Sequence, residues 1–129
     1  MPVVSVDWTE KDEVRWIQQF DVGIMPLDND PIARGKSGYK LIQYMACGRP
    51  AVASPVGANA DILDDVAGGI LASTTDEWVA ALERLRSDMG LRQLLGANGR
   101  EAVVERYSLQ AVAPRLISLL RGAVAGNRP

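Results

Sequence analysis

A short basic segment in the first third of the chain has the residue types of an anion-binding site. A predicted helix begins near the end of this segment, which reads Lys36-Ser37-Gly38-Tyr39-Lys40. The first turn of a helix has backbone N–H groups without partners, and the helix dipole places partial positive charge at the same end. The pattern therefore predicts a site for phosphate or a similar anion.

Gly35-Lys36-Ser37 also matches the end of a P-loop, which is a different kind of phosphate site. A P-loop needs a second glycine five residues before the glycine that precedes its lysine. The chain has Asp30 at that position, so the P-loop interpretation fails.

No other side chains form a recognisable catalytic or metal-binding set. The chain has no histidine, so it cannot supply an imidazole base or ligand. The acidic residues at 10–13 and 61–65 lack metal-ligand spacing and are interpreted as solvated faces. Cys47 is interpreted as a small packing residue. We therefore predict no metal site and no catalytic residue in this sequence.

Composition limits the function classes further. The 129 residues fit one domain, and 47% hydrophobic with 23% charged residues is typical of a globular chain. A net charge of −2 argues against nucleic acid as a partner, because such partners select a basic face. One cysteine excludes an internal disulfide, and no apolar run is long enough to span a membrane.

The elements that must position the basic segment alternate between strands and helices. This order predicts an α/β fold, a small doubly wound parallel sheet with a helical C-terminal portion. Loops at 28–38 and 55–61 leave the carboxyl ends of strands, so we expect them to meet at one rim. Strands are predicted at 3–6, 22–27, 51–54 and 69–72, and helices from 9 to about 20, 39–47, 74 to about 89, 91 to about 106 and 108 to about 121.

Periodicity predicts which side chains of the helices face the core. In the first helix these are Val14, Ile17 and Trp16; in the second, Leu41, Ile42 and Met45; and in the third, Trp78, Leu82 and Leu85. Gly96 and Gly99 are expected to weaken the fourth helix, because glycine is a poor helix former. Pro114 predicts a kink near the start of the last one.

Four segments together resemble a known family. Residues 43–57 read Gln-Tyr-Met-Ala-Cys-Gly-Arg-Pro-Ala-Val-Ala-Ser-Pro-Val-Gly. This is similar to Glu-Ala-Met-Ala-x-Gly-x-Pro-Val-Val-Ala-Ser-x-x-Gly in retaining GT-B glycosyltransferases of the group 1 type, also called family 4. Residues 20–27, 68–71 and 106–108 resemble further segments of the same pattern, in the same order. The resemblance covers nearly the whole chain and points to the family's carboxyl-terminal, donor-binding domain, which is Rossmann-like.

The resemblance implies transfer of a sugar from a nucleotide-diphosphate sugar to an acceptor hydroxyl, with retention. It implies no cofactor other than the nucleotide-sugar co-substrate, and no metal. The donor diphosphate is expected at the start of the helix, and its ribose at Gln43. The predicted substrate-binding residues are Lys36, Ser37, Gly38, Tyr39, Lys40 and Gln43.

The chain departs from the family pattern in two ways. The family's paired glutamates correspond to Gly35 and Gln43, which leaves the sugar specificity open. The family's acceptor-binding amino-terminal domain and the first two strands of its donor domain have no counterpart here. We therefore expect a fragment, natural or cloned, with a partial nucleotide-sugar-binding domain at 1–122 and a flexible tail at 123–129.

Such a fragment is expected to be inactive alone and to self-associate through an exposed sheet edge. In the parent protein, the missing domain would bind a glycan, lipid or small-molecule acceptor. The parent's expected location is the cytoplasm, including the inner face of the membrane. Two alternatives stay open: a non-catalytic nucleotide-binding or interaction module, and a receiver-type signalling domain.

Overall fold

Three short parallel strands form the centre of the fold. The computed structural model describes residues 3–64 and 66–126. Its strands are β1 (Gly23–Met25), β2 (Ala51–Ala53) and β3 (Gly69–Leu71), in the order β1-β2-β3. Ile24 aligns with Val52, and Val52 with Ile70. Helices connect the parallel strands, which confirms the predicted α/β class.

The helices begin where side chains can accept hydrogen bonds from their first turns. Thr9 accepts from Asp12 N, Ser108 accepts from Ala111 N, and Thr74 forms a reciprocal capping box with Glu77. These residues stand where the sequence predicts three helices to begin. The helices are α1 (Glu10–Ile17), α2 (Pro31–Arg34), α3 (Tyr39–Ala46), α4 (Ala58–Asp64), α5 (Thr75–Ser87), α6 (Met89–Arg106) and α7 (Leu109–Gly126).

The sheet separates two apolar clusters. On one face, α3, α4 and α6 pack on β2 around Leu41 and Met45, both of which are fully buried as predicted. On the other face, α5 packs against Val52 through Ala81 and Leu85. Packing on the first face holds α3 against the sheet, and the basic segment at 36–40 leads into α3.

Gly96 and Gly99 allow α6 to approach α3 closely. A Cβ at Gly96 would overlap the backbone oxygen of Gly48, and a Cβ at Gly99 would lie 2.8 Å from the Cγ atom of Met45. The expectation that these glycines only weaken the helix is therefore incomplete. Their lack of a side chain is what the contact between the two helices requires.

The predicted first strand is absent. Residues 3–6 have no regular structure and are exposed, because no neighbouring strand pairs with them in the described part of the chain. The run at 22–27 contributes only Gly23–Met25 to the sheet. Ile24 is 51% exposed, so one face of this edge strand is only partly covered.

Two predicted loops contain helices. The polar loop at 28–38 includes α2, whose start is capped by Asp30. The connection at 55–61 includes the first four residues of α4, a helix that the sequence did not predict. Gly57 has φ +57, so the chain turns there and enters α4. The segment was interpreted from the sequence as a loop because of its turn-forming residues, and the helix was therefore missed.

Some predicted core positions and one helix end also differ. Val14 and Leu82 are exposed at 55% and 39%, because α1 and α5 bury only narrow stripes. α7 continues to Gly126 instead of ending near residue 121. Residues 123–126, predicted as part of the tail, are thus helical, whereas 127–129 lie outside the described residues.

Candidate functional site

The start of α3 is an uncapped helix end. Gly38 occupies the N-cap position, and no side chain there accepts from the first turn. Its φ is +68, and a Cβ at this position would overlap the side chain of Ile62. Both observations require glycine at residue 38. The backbone N–H of Leu41 donates to Gly38 O at 2.9 Å, whereas those of Tyr39 and Lys40 have no partner among the described residues and are left for an external acceptor.

The two loops predicted to share a rim do meet there. Leu27 N donates to Ser54 Oγ at 3.0 Å, which joins the end of β1 to the end of β2. Asn59 of α4 lies beside Gly38 and donates from Nδ2 to Ser54 O at 3.1 Å. Hydrogen bonds thus join the carboxyl ends of β1 and β2 to α4, and the start of α3 packs beside Asn59 and Ile62 of that helix.

Lys36, Ser37 and Tyr39 lie at the entrance to this helix end with exposed side chains. The backbone N–H of Lys36 donates to Ala33 O at 3.1 Å, which ties the approach to α3 to the end of α2. The structure therefore brings these predicted residues together around buried Gly38, on the solvent side.

Lys40 forms an ion pair that the sequence did not predict. Its Nζ lies 2.8 Å from Oε1 of Glu13, and the two side chains are 50% and 18% exposed. The hydrogen bond from Lys40 is the main reason that the pKa of Glu13 lies below its ordinary value. The interpretation of Glu13 as part of a solvated face is therefore wrong.

Gln43 faces the same carboxylate. It follows Lys40 by three residues and so shares its helical face. The Gln43 side chain and the Trp8 indole both contribute hydrogen bonds that lower the pKa of Glu13. The Oε1 atom of Gln43 is buried and has no hydrogen-bond partner. Lys40 and Gln43 are thus brought together, with Glu13 between α1 and α3 as their shared neighbour.

A cleft of about 290 Å³ opens beside this ion pair. Four aromatic side chains line it, namely Trp8, Trp16, Phe20 and Tyr44. The rings of Phe20 and Tyr44 make an edge contact with centroids 6.2 Å apart. A cleft with aromatic walls and a charged pair at one side suits a planar ring that carries polar groups.

Cys47 does not have the environment of a nucleophile. Burial raises the pKa of its thiol, so the thiolate is a small fraction at neutral pH. Its N–H donates to Gln43 O and Tyr44 O at the end of α3. These contacts support the predicted packing role.

Comparison with known proteins relates the whole arrangement to one family. The family described as glycosyl transferases group 1 matches residues 2–88. D-inositol 3-phosphate glycosyltransferase from Saccharomonospora viridis is 30% identical over 120 residues, which cover 92% of this chain and 26% of that protein. MMP alpha-(1->4)-mannosyltransferase from Mycolicibacterium hassiacum is 33% identical over 93 residues, 68% of this chain and 23% of that protein.

A solved structure has the same fold. Sucrose-phosphate synthase from Thermosynechococcus elongatus superposes with a TM-score of 0.71 at 27% identity, and the match covers 87% of this chain and 27% of that one. The chain therefore spans about a quarter of the length of these relatives. Among residues 3–64 and 66–126, no helix is long and apolar enough to cross a membrane.

Proposed function

Because the chain belongs to the group 1 glycosyl transferases, we propose that it holds the nucleotide-diphosphate part of a sugar donor for transfer to an acceptor hydroxyl with retention. The observation that carries the proposal is the uncapped start of α3 at Gly38, at the rim formed by the ends of β1 and β2. Family membership excludes the alternative of a receiver-type signalling domain. The donor, the acceptor and the stereochemistry of the transfer are part of the proposal.

The diphosphate is assigned to the first turn of α3. Three features support this position: the unpartnered N–H groups of Tyr39 and Lys40, the positive end of the helix dipole, and the basic side chains of Lys36 and Lys40. Glycine is required at residue 38, because a Cβ there would overlap the side chain of Ile62. Ser37 and Tyr39 are assigned to the solvent side of the same group.

The ribose is assigned to Gln43. This residue lies one turn into α3, and a ligand bound at the helix start would extend along the face that carries Lys40 and Gln43. The buried Oε1 atom of Gln43 lacks a partner, and a side-chain rotation that pairs it with a ribose hydroxyl would remove that deficit. The aromatic cleft beside Lys40 is also lined by Tyr44, the residue that follows Gln43.

The chain by itself is proposed to bind the donor nucleotide without transferring sugar. Transfer needs donor and acceptor held in register, and about three-quarters of the length of the relatives has no counterpart in this chain. The test is to titrate the chain with UDP, GDP and ADP while following backbone amide signals of α3 by NMR. It is paired with assays of transfer from the corresponding nucleotide sugars. Failure of every nucleotide to shift the amides of 38–41 would contradict the binding proposal, and sugar turnover above the hydrolysis background would contradict the proposed inactivity.

Lys40→Ala should weaken nucleoside-diphosphate binding several-fold at low salt, roughly threefold to tenfold. The substitution removes one positive charge and leaves the charge of Glu13 uncompensated beside the anion.

Gln43→Ala should lower the affinity for the nucleoside diphosphate about fivefold, because a hydrogen bond to the ribose is lost, and this loss should depend little on salt. Calorimetry at two ionic strengths measures both effects.

Arg86→Ala is the matched control for Lys40→Ala. Arg86 is also in an exposed ion pair, with Glu83 at 2.8 Å, but on α5 at the other face of the sheet. Its removal should leave nucleotide affinity within about twofold, since exposed charges beyond a Debye length are screened. Equal affinities of wild type and Lys40→Ala at low salt would disprove the phosphate assignment.

Self-association through β1 is the second part of the proposal. β1 is an edge strand of the described sheet and carries exposed Ile24, and the apolar residues Val3, Val4 and Val6 are exposed as well. Unpaired edges pair readily with other strands. Sedimentation velocity should show concentration-dependent association, which Ile24→Lys should reduce. A monomeric profile at high concentration would rule this out.

A further inference from the structure

The ion pair between Glu13 and Lys40 changes the charge of the proposed nucleotide site. Lys40 alone would add a full positive charge beside the start of α3, and an isolated cation there would attract any anion. Glu13 lies 2.8 Å from its ammonium group, so at the distance of a bound phosphate the pair acts more nearly as a dipole than as a charge. The site therefore contains less positive charge than its lysines indicate.

We propose that Glu13 is a specificity-determining residue of this site: by neutralising Lys40, it favours a nucleoside diphosphate over an anion such as pyrophosphate, which binds through its charge alone. This inference rests on the proposed function. It assigns a role to α1, whose acids at 10–13 were interpreted from the sequence as a solvated face.

The position of Glu13 on α1 singles it out from its neighbours. Thr9 donates its hydroxyl to Oδ2 of Asp12 at 2.8 Å, so Asp12 is engaged at the helix cap. Glu10 is exposed at the start of α1. Glu13, one turn further on, is the acid that faces α3, and its carboxylate is mostly covered. The neutralising charge is thus held in place by the packing of α1 on α3.

Glu13 remains ionised under ordinary conditions. Hydrogen bonds from Lys40 foremost, and also from Trp8 and Gln43, hold its pKa below the ordinary 4.5. A carboxylate with several donors has little freedom to turn away.

Glu13→Gln should consequently change the affinities of the two ligands by different factors. Loss of the negative charge should raise the affinity for inorganic pyrophosphate by roughly threefold to fivefold at low ionic strength. A nucleoside diphosphate should gain less, because one of its phosphate oxygens is esterified and it therefore carries less charge than pyrophosphate. The preference for the nucleoside diphosphate over pyrophosphate should therefore fall.

The experiment is an NMR titration of the chain with sodium pyrophosphate and, separately, with the best-bound of UDP, GDP and ADP, following the amides of 38–41. Glu10→Gln is the matched control, since it removes one acid from the same helix away from Lys40, and it should leave both affinities unchanged within about twofold. The double variant Glu13→Gln/Lys40→Gln should return pyrophosphate affinity close to that of wild type. Lys40→Gln alone should lower it, and this serves as a second test if Glu13→Gln does not fold.

The outcomes separate this inference from the function on which it rests. If Lys40→Gln weakens both ligands but Glu13→Gln changes neither the pyrophosphate affinity nor the preference, the role of Glu13 is wrong and the nucleotide site stands. The role of Glu13 is equally wrong if Glu13→Gln does not fold and Lys40→Gln leaves the pyrophosphate affinity unchanged. If neither ligand shifts the amides of 38–41 in the wild-type chain, both proposals are overturned.

Discussion

Gly96→Ala should destabilise the chain by about 2 to 4 kcal/mol, the cost of overpacking a close backbone contact. The added methyl group would overlap the carbonyl oxygen of Gly48, which is backbone and cannot move aside by rotating a side chain. Alanine is the better helix former by about 1 kcal/mol, but that gain is smaller than the cost of separating α6 from α3. Urea unfolding monitored by circular dichroism measures the change in the free energy of unfolding.

Two other glycines provide matched controls. A Cβ at Gly99 would contact the flexible side chain of Met45, so Gly99→Ala should cost less than Gly96→Ala. A Cβ at Gly122 in α7 would meet nothing within 4 Å, so Gly122→Ala should stabilise the helix by roughly 0.5 to 1 kcal/mol. If Gly96→Ala proves as stable as wild type, the close contact between α3 and α6 does not exist in solution.

Asn59→Asp should destabilise the chain by about 3 kcal/mol or more at pH 7, the cost of burying a carboxylate without a donor. Asn59 is 1% exposed, and its Nδ2 donates to the backbone oxygen of Ser54. An ionised aspartate would place a negative oxygen against that carbonyl oxygen. The nearby dipole of α3 offsets only part of the penalty, since a helix end stabilises an anion by about 0.3 to 1 kcal/mol.

The penalty should depend on pH in a defined direction. Burial raises the pKa of an aspartate at position 59 above the unfolded value of about 3.9. The destabilisation is therefore fully present above the folded pKa, and it decreases as the pH falls from there toward 3.9. The protonated carboxyl group can donate to Ser54 O, which restores the hydrogen bond. Thermal melts of wild type and variant between pH 7 and pH 4 should converge.

Asn59→Ala separates the charge from the hydrogen bond. It removes the donor to Ser54 without adding a charge, so its cost, about 1 to 3 kcal/mol, should not change with pH in the same window. Parallel melting curves for Asn59→Asp and wild type across the whole range would show that position 59 is not buried in solution.

The local parts of the fold could be predicted from the sequence because local interactions determine them. Helices were predicted to begin at Thr9, Thr74 and Ser108, and each of these side chains accepts a hydrogen bond from a residue three positions later. Leu41 and Met45 are four residues apart and lie on one helix face, so periodicity placed them in the core. The start of α3 at Tyr39 was predicted for the same reason.

The contacts that the sequence did not predict join distant parts of the chain. Glu13 and Lys40 are 27 residues apart, and no spacing rule pairs them. Helix propensity counts Gly96 as a defect, whereas the approach of α6 to Gly48 makes it a requirement. Residues 3–6 have the composition of a strand, but a strand forms only where a partner strand supplies hydrogen bonds. In each case tertiary structure overrides a local preference.

The long connection between α3 and α6 also affects how quickly the chain can fold. Arg100 of α6 donates to Ala46 O at the end of α3, a contact across 54 positions of sequence. The chain must close that loop, and lose the corresponding entropy, before the two helices stabilise each other. The parallel strands likewise pair only after each crossover has formed. The helical content is high, but contacts between residues far apart in the sequence should limit the folding rate. We therefore expect the chain to fold more slowly than a helical bundle of similar size.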